Sequence, residues 1–208
     1  MLYKMKKTIL KFINKYYTCK WSKFVTLKGK NQVFYSTTNI VLNGSSKKDI
    51  VICENTRIHA SLISCNGGKI YFGKWSKIGH NSIVGSINSI IIGDYTAIAK
   101  DVTIIDNNNH PINPLDRKIM RQTPSGSYER SWIHSDSKPI TIGENVWIGE
   151  YARICKGVMI GDNAIIAANS VVTKDVPANS IAAGNPAKIV KKDIHVYTKS
   201  KFSNEIQE

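Results

Sequence analysis

His110 stands in a polar run, Asp106-Asn107-Asn108-Asn109-His110-Pro111, with Pro111 stiffening the backbone just behind it. An imidazole titrates near neutral pH, so a histidine held in a cleft can take a proton from a hydroxyl and hand it on to a leaving group. Asp106 is placed either to orient that ring through a carboxylate contact or simply to solubilise the segment, and spacing alone allows both. A lone histidine in a polar loop is more often a bystander, so the case for His110 rests on its surroundings. His134 follows Trp132 and can line an acceptor pocket with it. His80, beside Asn81, reads as a solvated corner or as a residue reaching into a ligand groove; His59 and His195 carry no argument. The four cysteines, Cys19, Cys53, Cys65 and Cys155, lack metal-ligand spacing and read as reduced small residues. Nothing supplies Cys155 with an activating partner for covalent chemistry.

A repeat must position these groups. Ile142, Ile148, Ile154, Ile160, Ile166 and Val172 recur every six residues, each followed four residues on by a small or branched one: Val146, Ala152, Val158, Ala164, Ser170, Val176. Six matches neither a helix nor an ordinary strand; it suits a short strand plus a sharp turn, three of which close a triangular coil of about eighteen residues in a parallel β-helix. Upstream, Ile52, Ile58, Ser64, Phe72, Ile78, Val84, Ile92, Ile98 and Ile104 step six, six, eight. Coils starting at Ile52, Phe72 and Ile92 thus carry two extra residues, within Gly67–Tyr71 and Ile87–Ile91, read as a bulged corner. The ladder stops after Ile104 and resumes at Ile142, so Asp106 to Pro139 is one long loop thrown from a corner. Loops of this length in a compact scaffold are usually functional, and His110 lies where the ladder breaks. Trp147 points outward between inward Val146 and Ile148, and an exposed indole there calls for a ligand or a subunit packed on it.

At 208 residues and 42% hydrophobic, the chain can fill one β-helix, and no apolar run approaches a membrane span. The expected division is a basic N-terminal segment (1–49, an amphipathic helix plus lead-in), a repeat domain (50–192) and a tail (193–208). The first 48 residues hold eleven lysines and no acid, most of the net charge of +14. Leu2, Met5, Ile9, Phe12, Ile13 and Tyr16 recur at helical spacing, with Lys4, Lys7, Lys11 and Lys15 on another face. Such a helix can cap the open end of the β-helix, pack between subunits, or lie on an anionic membrane surface. Lys11 and Lys15 interrupt any cleaved signal core, so a cytoplasmic location is expected, with the inner membrane face as the option where the helix lies on lipid. No nucleic-acid recognition module is present, and nucleic acid is not expected as a partner.

The ladder, the loop opening His110-Pro111-Ile112-Asn113-Pro114-Leu115-Asp116-Arg117, the segment Val146-Trp147-Ile148-Gly149 and the ending Val172-Thr173-Lys174-Asp175-Val176-Pro177 with Gly184-Asn185-Pro186-Ala187-Lys188 resemble the hexapeptide-repeat O-acetyltransferases. That family includes maltose, galactoside, nodulation-factor and capsular-polysaccharide acetyltransferases. The resemblance covers about Ile50 to Lys192, and length and basic N-terminus are most similar to the capsular branch. It implies an all-β, left-handed parallel β-helix of hexapeptide repeats, with the long inserted loop and the basic helical segment. It also implies a homotrimer with active sites between subunits, acetyl-CoA as co-substrate, no metal, and a polysaccharide or oligosaccharide acceptor. By the same resemblance His110 is the catalytic base, and Trp147 packs near it on donor or acceptor. Ala168 offers close approach to the pantetheine arm, Thr173 and Lys174 contact CoA, and Lys188 and Lys191 meet its phosphates.

Asp106, Asn109, Trp132, His134 and His80 are the acceptor-side candidates. Where the free-sugar branch carries an acceptor-binding asparagine, this chain has Gly79, then His80. Its loop is also longer, and Tyr128, Trp132, Arg121 and Arg130 offer rings and cations suited to a carboxylate-bearing glycan. A free-sugar acetyltransferase is the alternative. A β-helical metalloenzyme of the γ carbonic anhydrase type needs a close histidine pair that His59, His80 and His110 lack. A non-enzymatic scaffold would need neither the His-Pro loop nor the cationic tail.

Overall fold

The computed structural model describes residues 2–197. Three sheets wall a triangular prism. Sheet A runs from Thr26–Leu27 through Ile50–Ile52, Lys69–Phe72, Ser89–Ile92 and Ile140–Ile142 to Met159–Ile160. Sheet B includes Arg57–Ile58, Lys77–Ile78, Ala97–Ile98, Trp147–Ile148 and Ile165–Ile166, and ends in Ile181–Gly184 with an antiparallel Ala187–Lys191. Sheet C stacks Asn39–Asn43, Ser61–Cys65, Ile83–Ser86, Thr103–Ile105, Arg153–Ile154 and Val171–Val172.

The ladder residues meet in register across coils. Ile52, Phe72, Ile92 and Ile142 pair in turn on sheet A, and Ile58, Ile78, Ile98, Ile148 and Ile166 on sheet B. All are buried, and each full burial contributes roughly 1.5–3 kcal/mol against the entropy of ordering the chain. One expected rung is displaced: Val84 stacks on Leu62, while Ser64 stacks on Ser86. The corner His59–Ala60 is two residues shorter than Gly79–Ser82, and Leu62 and Ser64 both point inward on one strand. The six-residue count therefore lands on the second inward position.

The boundary at residue 50 is also corrected. Thr26, Val33 and Asn39 pair with Val51, Arg57 and Ser61, so a whole coil precedes Ile50. It escapes the pattern because Leu27 and Phe34 lie seven apart and the small inward positions hold Gln32 and Thr38. Their polar atoms are satisfied by the backbone, Gln32 Nε2 donating to the Lys28 carbonyl (2.9 Å) and Thr38 Oγ1 to that of Ile58 (2.5 Å).

Helix α1 (Leu2–Trp21) covers the open end with its last turns: Trp21 joins the core cluster, Tyr17 packs against it, and Thr18 Oγ1 accepts the Phe34 N–H (3.1 Å). The apolar stripe of Ile9, Phe12, Ile13 and Tyr16 is turned outward and exposed. The side chains of Leu2, Lys4, Met5 and Lys7, and residues 198–208 of the tail, lie outside the described residues.

The sheet A to sheet B corner repeats one left-handed position, Asn31, Asn55, Trp75, Tyr95, Asn145, Asn163 and Asn179, with φ between 53° and 66°. Asparagine is among the few side chains that tolerate this region. Neighbouring amides also bond along the column, Asn31 to Asn55 at 3.0 Å, Asn145 to Asn163 at 2.9 Å and Asn163 to Asn179 at 3.1 Å.

Candidate active site

Residues 106–139 form a structured arm leaving the corner between sheets C and A. Its stem zips itself shut: Asn107 bridges Ser137 in antiparallel fashion, Lys138 N–H donates to the Asp106 carbonyl (2.9 Å), and Asn108 N–H to that of Asp136 (3.1 Å). Beyond the stem lies helix α2 (Pro114–Gln122), started by Asn113, whose Oδ1 accepts the Leu115 N–H (2.8 Å), with Pro114 at its first position.

Asp106 departs from its expected role. It is fully buried, and its carboxylate accepts from Ser86 Oγ (2.7 Å), Ile87 N–H (3.0 Å), Asn88 N–H (2.9 Å) and Asn107 Nδ2 (3.2 Å). With these bonds made, it pins the arm's root to the bulged corner of the preceding coil and orients no imidazole. Trp132 anchors the arm as well. Its ring edge lies on Gly85, where an added Cβ would sit 2.8 Å from Cη2, and the adjacent Ser131 Oγ accepts from Asn66 Nδ2 (3.1 Å). Arg130 holds the arm internally, donating to the carbonyls of Thr123 (2.9 Å) and Arg121 (3.4 Å).

So braced, the arm presents His110 at its root, exposed, in a cavity of about 480 Å³ lined by Asn66, Met120, Tyr128, Arg130 and Ser131 among others. No hydrogen bond or ion pair engages His110 among the described residues. Asn109, in the left-handed region at φ 62°, donates its N–H to Asn107 Oδ1 (2.7 Å), and its own Oδ1 is enclosed with no donor. His134 lies across Tyr128 from this cavity, its ring edge-on to the phenol at 4.6 Å, and lines a second hollow with Pro111, Asp116 and Ile119. Its Nε2 is 3.0 Å from the Tyr128 carbonyl, an acceptor only, so this nitrogen carries the proton in that contact.

The remaining candidates lie elsewhere on the chain. Trp147 is exposed on sheet B, and His80 on the corner between sheets B and C. Neither lines the His110 cavity. Ala168 stands exposed at the B-to-C corner, beside Gly149, whose missing Cβ lets the two backbones approach. Thr173 and Lys174 follow the last strand of sheet C, while Lys188 and Lys191 ride the antiparallel edge strand of sheet B, facing Ala183 and Ile181. Trp75 and Tyr95 were not singled out by the repeat reading; the available signal was their bulk at a corner position otherwise filled by asparagine.

Residues 139–174 match the bacterial transferase hexapeptide family of six repeats. A putative lipopolysaccharide biosynthesis O-acetyl transferase of Escherichia coli is 30% identical over 195 residues, spanning 90% of this chain and 95% of its own. The chain belongs to the hexapeptide-repeat acetyltransferases. A galactoside O-acetyltransferase of Escherichia coli is 35% identical over 150 residues, 70% of this chain and 67% of that one. The polySia-specific acetyltransferase NeuO superposes with a TM-score of 0.55 at 26% identity, covering 85% of this chain and 89% of its own. This hexapeptide-repeat acetyltransferase is a left-handed parallel β-helix with an inserted arm. In one copy of it, His110 and Trp147 occupy different faces.

Proposed function

We propose that this acetyltransferase moves the acetyl group of acetyl-CoA to a hydroxyl of a bacterial cell-surface or capsular polysaccharide, with His110 as general base. The observation that carries the reading is the placement of His110, unengaged and facing a cavity at the root of an arm anchored by Asp106 and Trp132. In the reaction the sugar oxygen attacks the thioester carbonyl while its proton passes to the imidazole. The tetrahedral intermediate collapses with cleavage of the C–S bond, and the departing thiolate receives that proton, leaving an acetyl ester and free CoA. No acyl-enzyme is formed. Lys188 and Lys191 supply charge for the CoA phosphates, with Ala168, Thr173 and Lys174 along its path.

The active form we propose is a homotrimer, with each site shared between copies. Two features support it: Trp147 and His110 lie apart within one chain, and the arm carries an exposed apolar stripe of Ile112, Leu115 and Ile119. The near full-length match to a lipopolysaccharide O-acetyl transferase supports a large acceptor. The galactoside relative supports a free-sugar acceptor as the second reading. We further propose that the enzyme works at the cytoplasmic membrane face, α1 resting on anionic lipid. Its outward Ile9, Phe12, Ile13 and Tyr16, set among lysines without an acid, support this.

The test is release of CoA thiol from acetyl-CoA by the purified protein, with capsule-type polysaccharide or with small glycosides. Polysaccharide-dependent release is the expected result. Release with glycosides alone would transfer the assignment to free sugars, and silence with both, with no CoA bound, would put a non-enzymatic scaffold first.

A further inference from the structure

The left-handed corner column holds asparagine in five of its seven rungs, while the two central rungs hold Trp75 and Tyr95 at φ 58°. A bulky side chain is an outlier in this region, and here it gains no compensating burial, with Trp75 57% and Tyr95 53% exposed. Replacing asparagine also forfeits the amide bond along the column. An aromatic kept there at local expense, in consecutive coils, points to something packed on it.

Beside this column, on the outer face of sheet B, Arg57 and Lys77 pair in adjacent strands. Like charges one strand apart repel, yet neither forms an ion pair among the described residues. Of the acids beside the groove, Glu54 pairs with Lys74 (3.4 Å), and Asp94 Oδ1 accepts the Lys74 N–H (2.8 Å). Between the two columns runs a groove of about 530 Å³, from Asn31 and Asn55 past Trp75 and Arg57 to Tyr95 and Ala97. Three strand spacings separate Asn31 from Tyr95, roughly 14 Å in all, long enough for several linked sugars. The next rung after Ala97 on the same face is Trp147.

We propose that this groove is a binding track for an extended, carboxylate-bearing polysaccharide, with Trp75 and Tyr95 stacking on sugar faces and Arg57 and Lys77 meeting the carboxylates. It leads toward Trp147, and so feeds the acceptor side of the site; this last part rests on the proposed transferase reading. Asparagine at rungs 75 and 95 restores the column's own residue, so the substitutions spare the fold.

The experiment measures binding of polygalacturonate, hyaluronate and polysialic acid, with dextran as neutral control, to the full-length protein by tryptophan fluorescence and calorimetry. At least one acidic polymer is expected to bind more tightly than dextran, with affinity falling as salt rises. Trp75→Asn with Tyr95→Asn should weaken that binding about tenfold or more, and Arg57→Gln with Lys77→Gln should abolish its salt dependence. No preference for acidic polymers, or unchanged affinity in both double variants, overturns the proposal. So does dissociation of the oligomer in the aromatic variant, which would assign the column to a contact between copies. Polymer binding without acetyl transfer would sink the transferase reading alone. Polymer acetylation with an unchanged KM in both variants would sink the track alone.

Discussion

Asp106 accepts the backbone N–H of Asn88 at 2.9 Å, so the first residue of the arm is fastened to the corner of the coil before it. The same carboxylate takes the Ile87 N–H and the Ser86 hydroxyl, leaving the corner's donors dependent on one side chain. Asp106→Ala would strand these donors in a buried position. A loss of about 3 kcal/mol is expected, and roughly half of that for Asp106→Asn, which keeps one acceptor oxygen. Urea unfolding measures it; a loss below about 1 kcal/mol for the alanine variant would show that the corner holds itself.

Gly85 and Trp132 make the second attachment. A Cβ at position 85 meets the indole at 2.8 Å, so Gly85→Ala should lift the ring and loosen the arm while the coils stay intact. Trypsin cleavage within Arg117–Arg121 should accelerate, and acetyl transfer should fall about tenfold as His110 loses its fixed position. Trp132→Ala should act alike, and combining the two should add little, because both remove one contact. Full additivity in the double variant would mean that the two residues act separately.

His110→Ala should lower acetyl transfer by roughly 10²–10⁴-fold, the usual worth of a positioned general base. The melting temperature and CoA affinity should be unchanged, since the side chain makes no hydrogen bond or ion pair among the described residues. Transfer near the parent rate would remove His110 from the mechanism.

His59 stacks on Tyr35 at 3.4 Å between ring centroids, joining the first two coils. Burial, and secondarily the nearby charge of His80, hold its imidazole below the ordinary 6.5. The unfolded chain therefore takes up this proton at a higher pH than the folded one. Stability should be full above about pH 6.5 and fall as the pH drops from there through the lowered folded value. His59→Gln should flatten that part of the curve. An unaltered pH profile in denaturant titrations of the variant would show that other groups set it.

The coils were legible from Ile52 onward because inward aliphatics return at constant spacing, and stacking in register demands that constancy. The first coil was not, since its inward Gln32 and Thr38 are polar and their compensating backbone bonds leave no trace in a hydrophobic pattern. The arm's limits followed from where the ladder breaks, but its interior did not. Whether Asp106 faces His110 or the corner depends on contacts about twenty residues away, with Ser86, Ile87 and Asn88, which local spacing cannot reveal. Trp75 and Tyr95 become conspicuous only once the left-handed column is seen as a column, because their neighbours in it come from other coils.

A stack of parallel coils has no intrinsic length, since each end offers an unpaired strand edge onto which an identical chain could dock and continue. Here α1 fills one end, Thr18 taking the Phe34 N–H that the next copy would otherwise claim, and at the other end Ala187–Lys191 doubles back antiparallel where a parallel strand would extend the pile. Both stoppers belong to the chain itself. Leu2–Trp21 and Ala187–Lys191 thus guard against fibre growth, and removal of α1 would be expected to lengthen the particle rather than merely destabilise it.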